Sequence, residues 1–575
     1  MNKQIIRRTA AATFTQDNTL HPLLQRIYVG RGVQSQTEIK RDLQQLLSYH
    51  LLSNIDTAVA CLVTALHQQQ SILIVGDFDT DGATSCALAV AALQRLGAKQ
   101  VSYLVPNRFE YGYGLTPEIV DVAASRKPDV IITVDNGISS IEGVTRANEL
   151  GIKVVVTDHH LPGDELPRAA AIVNPNLPND LFPSKNLAGV GVIFYVMLAL
   201  RNRLRELDWF KNQSIADPNM ADFLDLVALG TIADVVVLDQ NNRILIHQGL
   251  CRIRAGKCRV GIRALLEIGN RNLAQLTASD LGFVVAPRLN AAGRLDDISV
   301  GIACLLCEDA KQAAEIAAQL DTMNKERQVI ENDMKNQAFA VLKQLRFQQN
   351  LPKGICIYDS SWHQGVIGIL AGRIKDLYHR PAIAFAPVND NELKGSARSV
   401  AGVHIRDLLS TIASQHPSLL TKFGGHAMAA GLSLERSNYE IFSQIFAEEV
   451  GRWLNEDDLQ GKLYSDGELA SDYFSLEIAA MLRDAGPWGQ NFPEPIFDNI
   501  FYVMEQRLVG MRHLKLILKV AETNLLFDGI AFNVDLSQWP NYRCQRIRAA
   551  YRLDINEYRG QRRLQLQIEH LEALE

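Results

Sequence analysis

The sequence predicts an α/β protein of several domains that ends in a β-barrel. Three observations carry this. Short β-branched runs alternate with helical segments over residues 71–175, a long helical pattern follows at 309–345, and beyond about residue 462 the apolar pattern changes to period two. The 575 residues allow about four domains at roughly 150 each. The expected divisions are an N-terminal segment (1–50), a doubly wound parallel-sheet domain (51–305), a connecting helix (306–350), a second α/β domain (351–456) and an OB-like barrel (457–575).

In the first domain Ile72–Val75, Val101–Val105, Val130–Val134, Lys153–Thr157 and Ala171–Val173 read as strands, with helices over Thr84–Leu96, Pro117–Ala124 and Ser140–Leu150. Near-continuous apolar strands separated by helices argue for a parallel sheet covered on both faces. Helical patterns continue from about 187 to 270. From Asp309 to Leu345 there is no Gly or Pro, and Ile316, Leu320, Met323, Ile330, Met334, Val341 and Leu345 supply apolar positions. Such a helix would span roughly 55 Å. Arg327 and Gln337 interrupt its seam, which favours a packed spacer over an intermolecular coiled coil. Gly354–Tyr358 and Ala382–Ala386 then read as strands, and Val366–Leu377 and Tyr439–Leu454 as helices. At the C-terminus Leu514, Leu516 and Leu518 alternate with lysines, and Leu564, Leu566 and Ile568 with Gln and Glu. With Phe501–Leu508, Leu525–Phe532 and Ala550–Ile555 that makes about five strands, which suits an OB-fold.

Apolar residues at 47% and charged residues at 21% exclude a mainly disordered chain. The longest apolar stretch, Gly189–Leu200, is twelve residues and too short to cross a bilayer. Met1–Gln16 lacks an apolar signal core, and eight cysteines in so long a chain do not form a disulfide framework, so a cytoplasmic setting is expected. With a net charge of −6, any nucleic-acid site must be a local basic patch.

The first strand runs into Asp77-Phe78-Asp79-Thr80-Asp81-Gly82. Three alternating carboxylates repel one another unless a hard cation neutralises them. An EF-hand needs a preceding helix and a bidentate Glu at its twelfth position, where this chain has Leu88. A solvated acidic turn remains the plain alternative. Two further strands end in Asp135-Asn136-Gly137 and Asp158-His159-His160. One Asp at a strand end is often a helix cap, and a lone His is usually structural. Three such ends in one domain argue for a site, because ligands of open α/β sheets bind outside the carboxyl ends of the strands. Carboxylates with imidazole and no thiolate suit Mn²⁺ or Mg²⁺.

In order, these motifs resemble the DHH phosphoesterase family. Gly230-Thr231-Ile232-Ala233-Asp234 looks like its fourth motif. Pro106 to Leu115, Pro287 to Arg294 and Gly424-Gly425-His426-Ala427 are similar to the single-strand-specific exonuclease branch of that family, and the likeness covers essentially the whole chain. The resemblance implies that Asp81, Asp135, His159 and Asp234 bind one metal and that Asp77 and Asp79 with Asp135 bind a second. Asp158 would orient an imidazole, and His160 would face the scissile phosphate. Two ions about 3.5–4 Å apart would generate hydroxide and neutralise charge on the attacking and leaving oxygens. The resemblance also implies hydrolysis of single-stranded DNA from the 5′ end to mononucleotides in repair and recombination. A helicase and a single-strand-binding protein would be its partners, the chain acting as a monomer.

The second α/β domain, by resemblance the DHHA1 domain, would supply a phosphate grip. Gly395-Ser396-Ala397-Arg398-Ser399, Gly424-Gly425-His426 and Trp362-His363-Gln364-Gly365 carry donors on Gly-rich or helix-preceding backbone, where a plain turn or cap is the alternative. Arg108, Arg288, Arg294 and Arg398, with Ser396, Gly425 and His426, are the expected substrate contacts. In the barrel Arg543, Arg546, Arg548, Arg552, Arg559, Arg562 and Arg563 interleave with Tyr542, Tyr551 and Tyr558, as single-strand binding requires; a solvated strand face is the alternative. A second basic run, Arg252 to Arg263, reads as surface. Cys304 and Cys307 lack a second ligand pair, which favours core over zinc. A haloacid-dehalogenase loop would have no use for Asp158-His159-His160. Two other functions stay open: a phosphodiesterase of short oligoribonucleotides or cyclic dinucleotides, and a non-catalytic nucleic-acid-binding scaffold.

Overall fold

A computed structural model describes residues 3–9, 20–106, 114–347, 351–520, 523–536, 538–558 and 560–574. It divides into two compact units: residues 8–324 with 466–575, and residues 1–7 with 325–465.

The larger unit is built on a five-stranded parallel sheet in the order Val101–Leu104, Ile72–Gly76, Val130–Val134, Lys153–Thr157, Ala171–Val173. Strands Ile72–Gly76 and Val130–Val134 are buried along their whole length, which explains their unbroken apolar runs. The chain leaves the first strand toward one edge and returns to build toward the other. The switch point therefore falls between Ile72–Gly76 and Val130–Val134, where such sheets open a crevice. One helix begins earlier than the sequence predicts: it spans Thr80–Arg95, because Asp79 caps it and draws the acidic motif into its first turn.

The C-terminal part of this unit is a closed five-stranded barrel of Phe497–Val509, His513–Val520, Leu526–Ala531, Arg546–Tyr558 and Gln561–Leu574. The third and fifth strands pair in parallel and all other pairs are antiparallel, which is OB-fold connectivity. Leu514, Leu516, Leu518 and Leu566 fill its interior, as their alternation predicts.

The long helix spans Ala310–Phe347. The two polar residues that interrupt its seam are both engaged: Arg327 pairs with Glu331, and Gln337 accepts the indole N–H of Trp362 at 2.7 Å. The smaller unit has a mixed sheet in the order Lys422–Gly425, Ala429–Glu435, Glu392–Arg398, Ala382–Pro387, Ile355–Tyr358. Three of these strands escaped the sequence pattern because glycine and alanine dilute their alternation. Among the described residues no single helix is long and apolar enough to cross a membrane.

Candidate metal centre

The acidic residues converge at the switch point. Asp79 accepts from the backbone N–H of Asp81 (2.9 Å) and Gly82 (3.1 Å), so the first helix starts over the cluster with its positive end. Asp81 is fully buried, and its two oxygens accept from Gly189 N–H (2.6 Å) and Val190 N–H (3.0 Å) at the start of helix Gly189–Glu206. That approach requires glycine: a Cβ on Gly189 would lie 2.6 Å from Asp135 Cβ, and one on Gly230 would lie 2.8 Å from Asp81 Oδ1. Asp135 itself has φ 62°, a left-handed conformation uncommon for a residue other than glycine, directly after its strand.

Asp158 accepts from Ile138 N–H (2.9 Å), His159 N–H (2.7 Å) and His160 N–H (3.1 Å), and its Oδ1 lies 2.8 Å from His160 Nδ1. The imidazole it orients is that of His160, while the ring of His159 turns inward. Two asparagines that sequence reasoning missed fix the same turn. Asn174 donates to the carbonyl of His160 (2.9 Å) and Asn176 to that of His159 (2.6 Å). An Asn-Pro-Asn after a strand looks like any other turn, so the sequence carried no distinguishing signal.

His159 Nε2 lies 3.0 Å from Asp135 Oδ1 and 3.5 Å from Asp234 Oδ2, yet it is buried with no hydrogen-bond partner. Ligand atoms of Asp81, His159 and Asp234 lie within 4.8 Å of one another, as do those of Asp77, Asp79 and Asp135, and those of Asp135, His159 and His160. Two donors on one ion, each at about 2.0–2.6 Å, are at most about 5 Å apart. Asp135 takes part in two of these groups, so it can serve both. Burial raises the Asp79 carboxyl, with Asp234 adding to it. Burial and neighbouring carboxylates push Asp81 and Asp135 well above the usual carboxylate range. Burial lowers His159, keeping it a neutral donor. These carboxylates cannot all ionise without a cation, and an oxygen-rich set with imidazole fits a hard divalent ion.

The expected phosphate contacts lie in different settings. Arg108 and Arg559 fall outside the described residues. Arg288 is mostly buried and pairs with Asp321 at 2.8 Å. Arg294 is half-buried near the end of helix Ala286–Leu295. Ser396 and Arg398 lie on a strand, not on the turn expected for Gly-rich sequence, and Arg398 donates to Ser396 Oγ at 3.1 Å. Burial lowers the Arg398 guanidinium, and among the described residues no carboxylate pairs with it. Gly424, Gly431 and Ser396 line up across three strands, and both glycines face open space. Gly425 has φ +143°, where a Cβ would come 2.4 Å from Ala429 O, and His426 N–H donates to that same carbonyl at 2.8 Å. The smaller unit thus presents a bare backbone shelf edged by a hydroxyl and a guanidinium.

Two other expectations need correction. Three of the six described arginines of the barrel run are spent on carboxylates: Arg548 on Asp498 (2.8 Å), Arg552 on Glu494 (2.8 Å) and Glu569 (3.1 Å), and Arg562 on Glu557 (2.9 Å); Arg543, Arg546 and Arg563 remain exposed. Tyr551 is fully buried and donates to Asn499 Oδ1 at 2.7 Å, so it cannot stack on a base. Period two already placed it inside, in phase with Ile547, Ala549 and Leu553. In the second basic run Arg252 pairs with Asp222 and Arg259 with the buried Asp225. Cys304, in contrast, is buried as a core residue is expected to be, with Sγ 3.9 Å from Gly261 O.

Known families match this chain over three segments: the DHH family N-terminal domain (71–231), the DHHA1 domain (351–452) and the RecJ OB domain (465–570). The single-stranded-DNA-specific exonuclease RecJ of Dickeya dadantii (strain 3937) is 57% identical over 569 residues, covering 99% of both chains. The chain belongs to the RecJ family. Escherichia coli (strain K12) RecJ is 54% identical over 569 residues, again covering 99% of both chains. Among solved structures, Thermus thermophilus RecJ in complex with Mn²⁺ superimposes with TM-score 0.78 and 30% identity, over 96% of this chain and 76% of that one. Its Mg²⁺ complex gives TM-score 0.73 and 27% identity, over 96% and 75%. The DHH match of this RecJ-family chain contains every residue of the acidic cluster except Asp234, which lies just past its end.

Proposed function

We propose that this chain is a single-strand-specific exodeoxyribonuclease that works from the 5′ end and releases mononucleotides, with Mn²⁺ or Mg²⁺ as cofactor. The observation that supports it most is the buried, partnerless His159 Nε2 facing Asp135 and Asp234 at 3.0 and 3.5 Å. In this reading residues 51–305 hydrolyse, 306–350 connect, 351–456 hold the terminal phosphate and 457–575 bind the strand. Asp81, Asp135, His159 and Asp234 hold one ion, and Asp77 and Asp79 share Asp135 with a second. Two ions there would supply a nucleophile from water and offset charge during in-line displacement. Asp158 holds His160 as a cation aimed at the phosphate. Arg398, Ser396, Gly425 and His426 grip a terminal phosphate, whose extra charge over an internal one explains action from an end, and Arg108, Arg288 and Arg294 are substrate contacts of residues 51–305. The setting is cytoplasmic DNA repair and recombination, the chain acting as a monomer beside a helicase and a single-strand-binding protein.

The experiment is product analysis on single strands end-labelled at either terminus, with and without Mn²⁺. A 5′ label should appear at once as mononucleotide, and Asp135→Ala should abolish this while strand binding persists. Release from the 3′ end first, or full turnover by metal-stripped Asp135→Ala, overturns the reading.

A further inference from the structure

Phe283 is 82% exposed, on the π-helical turn Leu281–Val285. A lone apolar side chain at a surface is ordinary. The position of this one is not. Its neighbour Gly282 packs so closely that a Cβ would come 3.1 Å from Ile232 Cγ2, two residues before Asp234. The turn runs directly into helix Ala286–Leu295, whose Asn290 Oδ1 accepts from Thr80 N–H (2.8 Å) and Thr80 Oγ1 (2.9 Å), between Asp79 and Asp81. Gly293 of the same helix is pressed onto Phe78, where a Cβ would meet the carbonyl oxygen at 1.9 Å. Phe283 and Asn290 are seven residues apart, about 10 Å along a helix axis. The backbone that carries the phenyl ring is therefore packed on both of its flanks against segments of the acidic cluster. π-Helical turns are rare and recur at functional sites.

On its other side Phe283 lines a cleft of about 840 Å³ between the parallel-sheet module and the barrel. Two arginines in its walls are paired internally: Arg271 with Asp280 at 2.9 Å, and Arg552 with Glu494 at 2.8 Å. An arginine already paired in this way offers little to a phosphate chain. The cleft suits an uncharged aromatic ring seated against phenyl.

We propose that Phe283 is a base-stacking platform, receiving a nucleobase of single-stranded DNA in this cleft. The inference rests on single-stranded DNA being the substrate. A base can offer its face to a side chain only after leaving the duplex stack, so the platform favours single strands without reading sequence.

The test uses the full-length chain in chelator, so that hydrolysis does not contribute, with single strands carrying 2-aminopurine at successive positions from the 5′ end. Stacking should quench the probe at one position. Phe283→Ala should remove that quenching and weaken strand binding on the order of tenfold, and Phe283→Trp should restore both. Unchanged quenching and affinity in Phe283→Ala overturns the proposal and leaves the ring as a protein-docking residue. Loss in both variants alike also overturns it, since a flat aromatic ring is all that is asked of the site. Failure here would leave end-label polarity untouched, so it is distinct from failure of the exonuclease reading.

Discussion

The carboxylate of Asp158 bonds the ring of His160, Oδ1 to Nδ1 at 2.8 Å, while His159 is touched only at its backbone N–H. Adjacent histidines thereby acquire opposite characters. Burial lowers His159 toward the neutral form. Burial also works against His160, but the Asp158 hydrogen bond and charge outweigh it and push its pKa up to about 9. One imidazole is thereby favoured as a neutral lone-pair donor and its neighbour as a cation, the division that the proposed metal and phosphate roles would use.

Asp158→Asn should therefore uncouple the pair. A folded-state pKa raised to about 9 contributes stability that is fully present below the unfolded value of about 6.5 and lost as pH rises through about 9. In chelator the variant should be less stable than the parent by about 2 kcal/mol near pH 6, with the gap closing toward pH 10. In Mn²⁺ its rate should fall roughly 10–100-fold, with the alkaline limb of the pH–rate profile moved to lower pH. Urea melts across pH and a rate profile check both; a gap independent of pH would contradict the assignment.

Metal should act on stability through protons. Burial raises Asp79, Asp81 and Asp135. A raised carboxyl contributes stability that is present below the ordinary carboxylate range and lost as pH rises through its folded value. Metal-free protein should thus lose stability as pH rises above the ordinary carboxylate range, and Mn²⁺ should restore it. The difference in Tm between Mn²⁺ and chelator should widen with pH, and binding should release protons in calorimetry. A constant difference would mean the cluster is already ionised without an ion.

Gly189→Ala tests the packing of the centre. The new methyl would overlap Asp135 and withdraw the N–H that Asp81 accepts at 2.6 Å. Overpacking of this kind costs about 1–3 kcal/mol. Mn²⁺ affinity, read by a metal-dependent thermal shift, should drop at least about tenfold. Strand binding in chelator should be retained.

Much of this site was legible in the sequence, for a physical reason. Parallel strands must be apolar on both faces, so polar residues crowd their carboxyl ends, and Asp77, Asp135 and Asp158 announce both the fold and the site. What supports them was not legible. Gly189 and Val190 reach Asp81 across more than a hundred residues, and no local pattern marks a glycine as the contact. Charge was the least legible property of all. Arg552 and Glu494 are far apart in the chain and meet only when the barrel closes. Half of a basic run in sequence became a lattice of ion pairs in space.

That lattice yields the last prediction. Arg548 answers Asp498, whose side chain is completely buried, whereas Arg543 and Arg546 are exposed and Arg546 stands 5.8 Å over the ring of Tyr502. Removing one partner of a buried pair strands the other charge, so Arg548→Ala should destabilise the barrel by about 2–4 kcal/mol. It should leave the salt dependence of strand binding nearly unchanged, because a neutralised arginine displaces few counterions. Arg543→Ala and Arg546→Ala should do the reverse, each lowering the slope of log K against log salt by about 1 with Tm unaltered. Urea melts and salt titrations on the four proteins separate the two classes. A steep loss of salt dependence in Arg548→Ala would show that DNA displaces Asp498 from its arginine, and the barrel's binding face would then have to be moved to that strand.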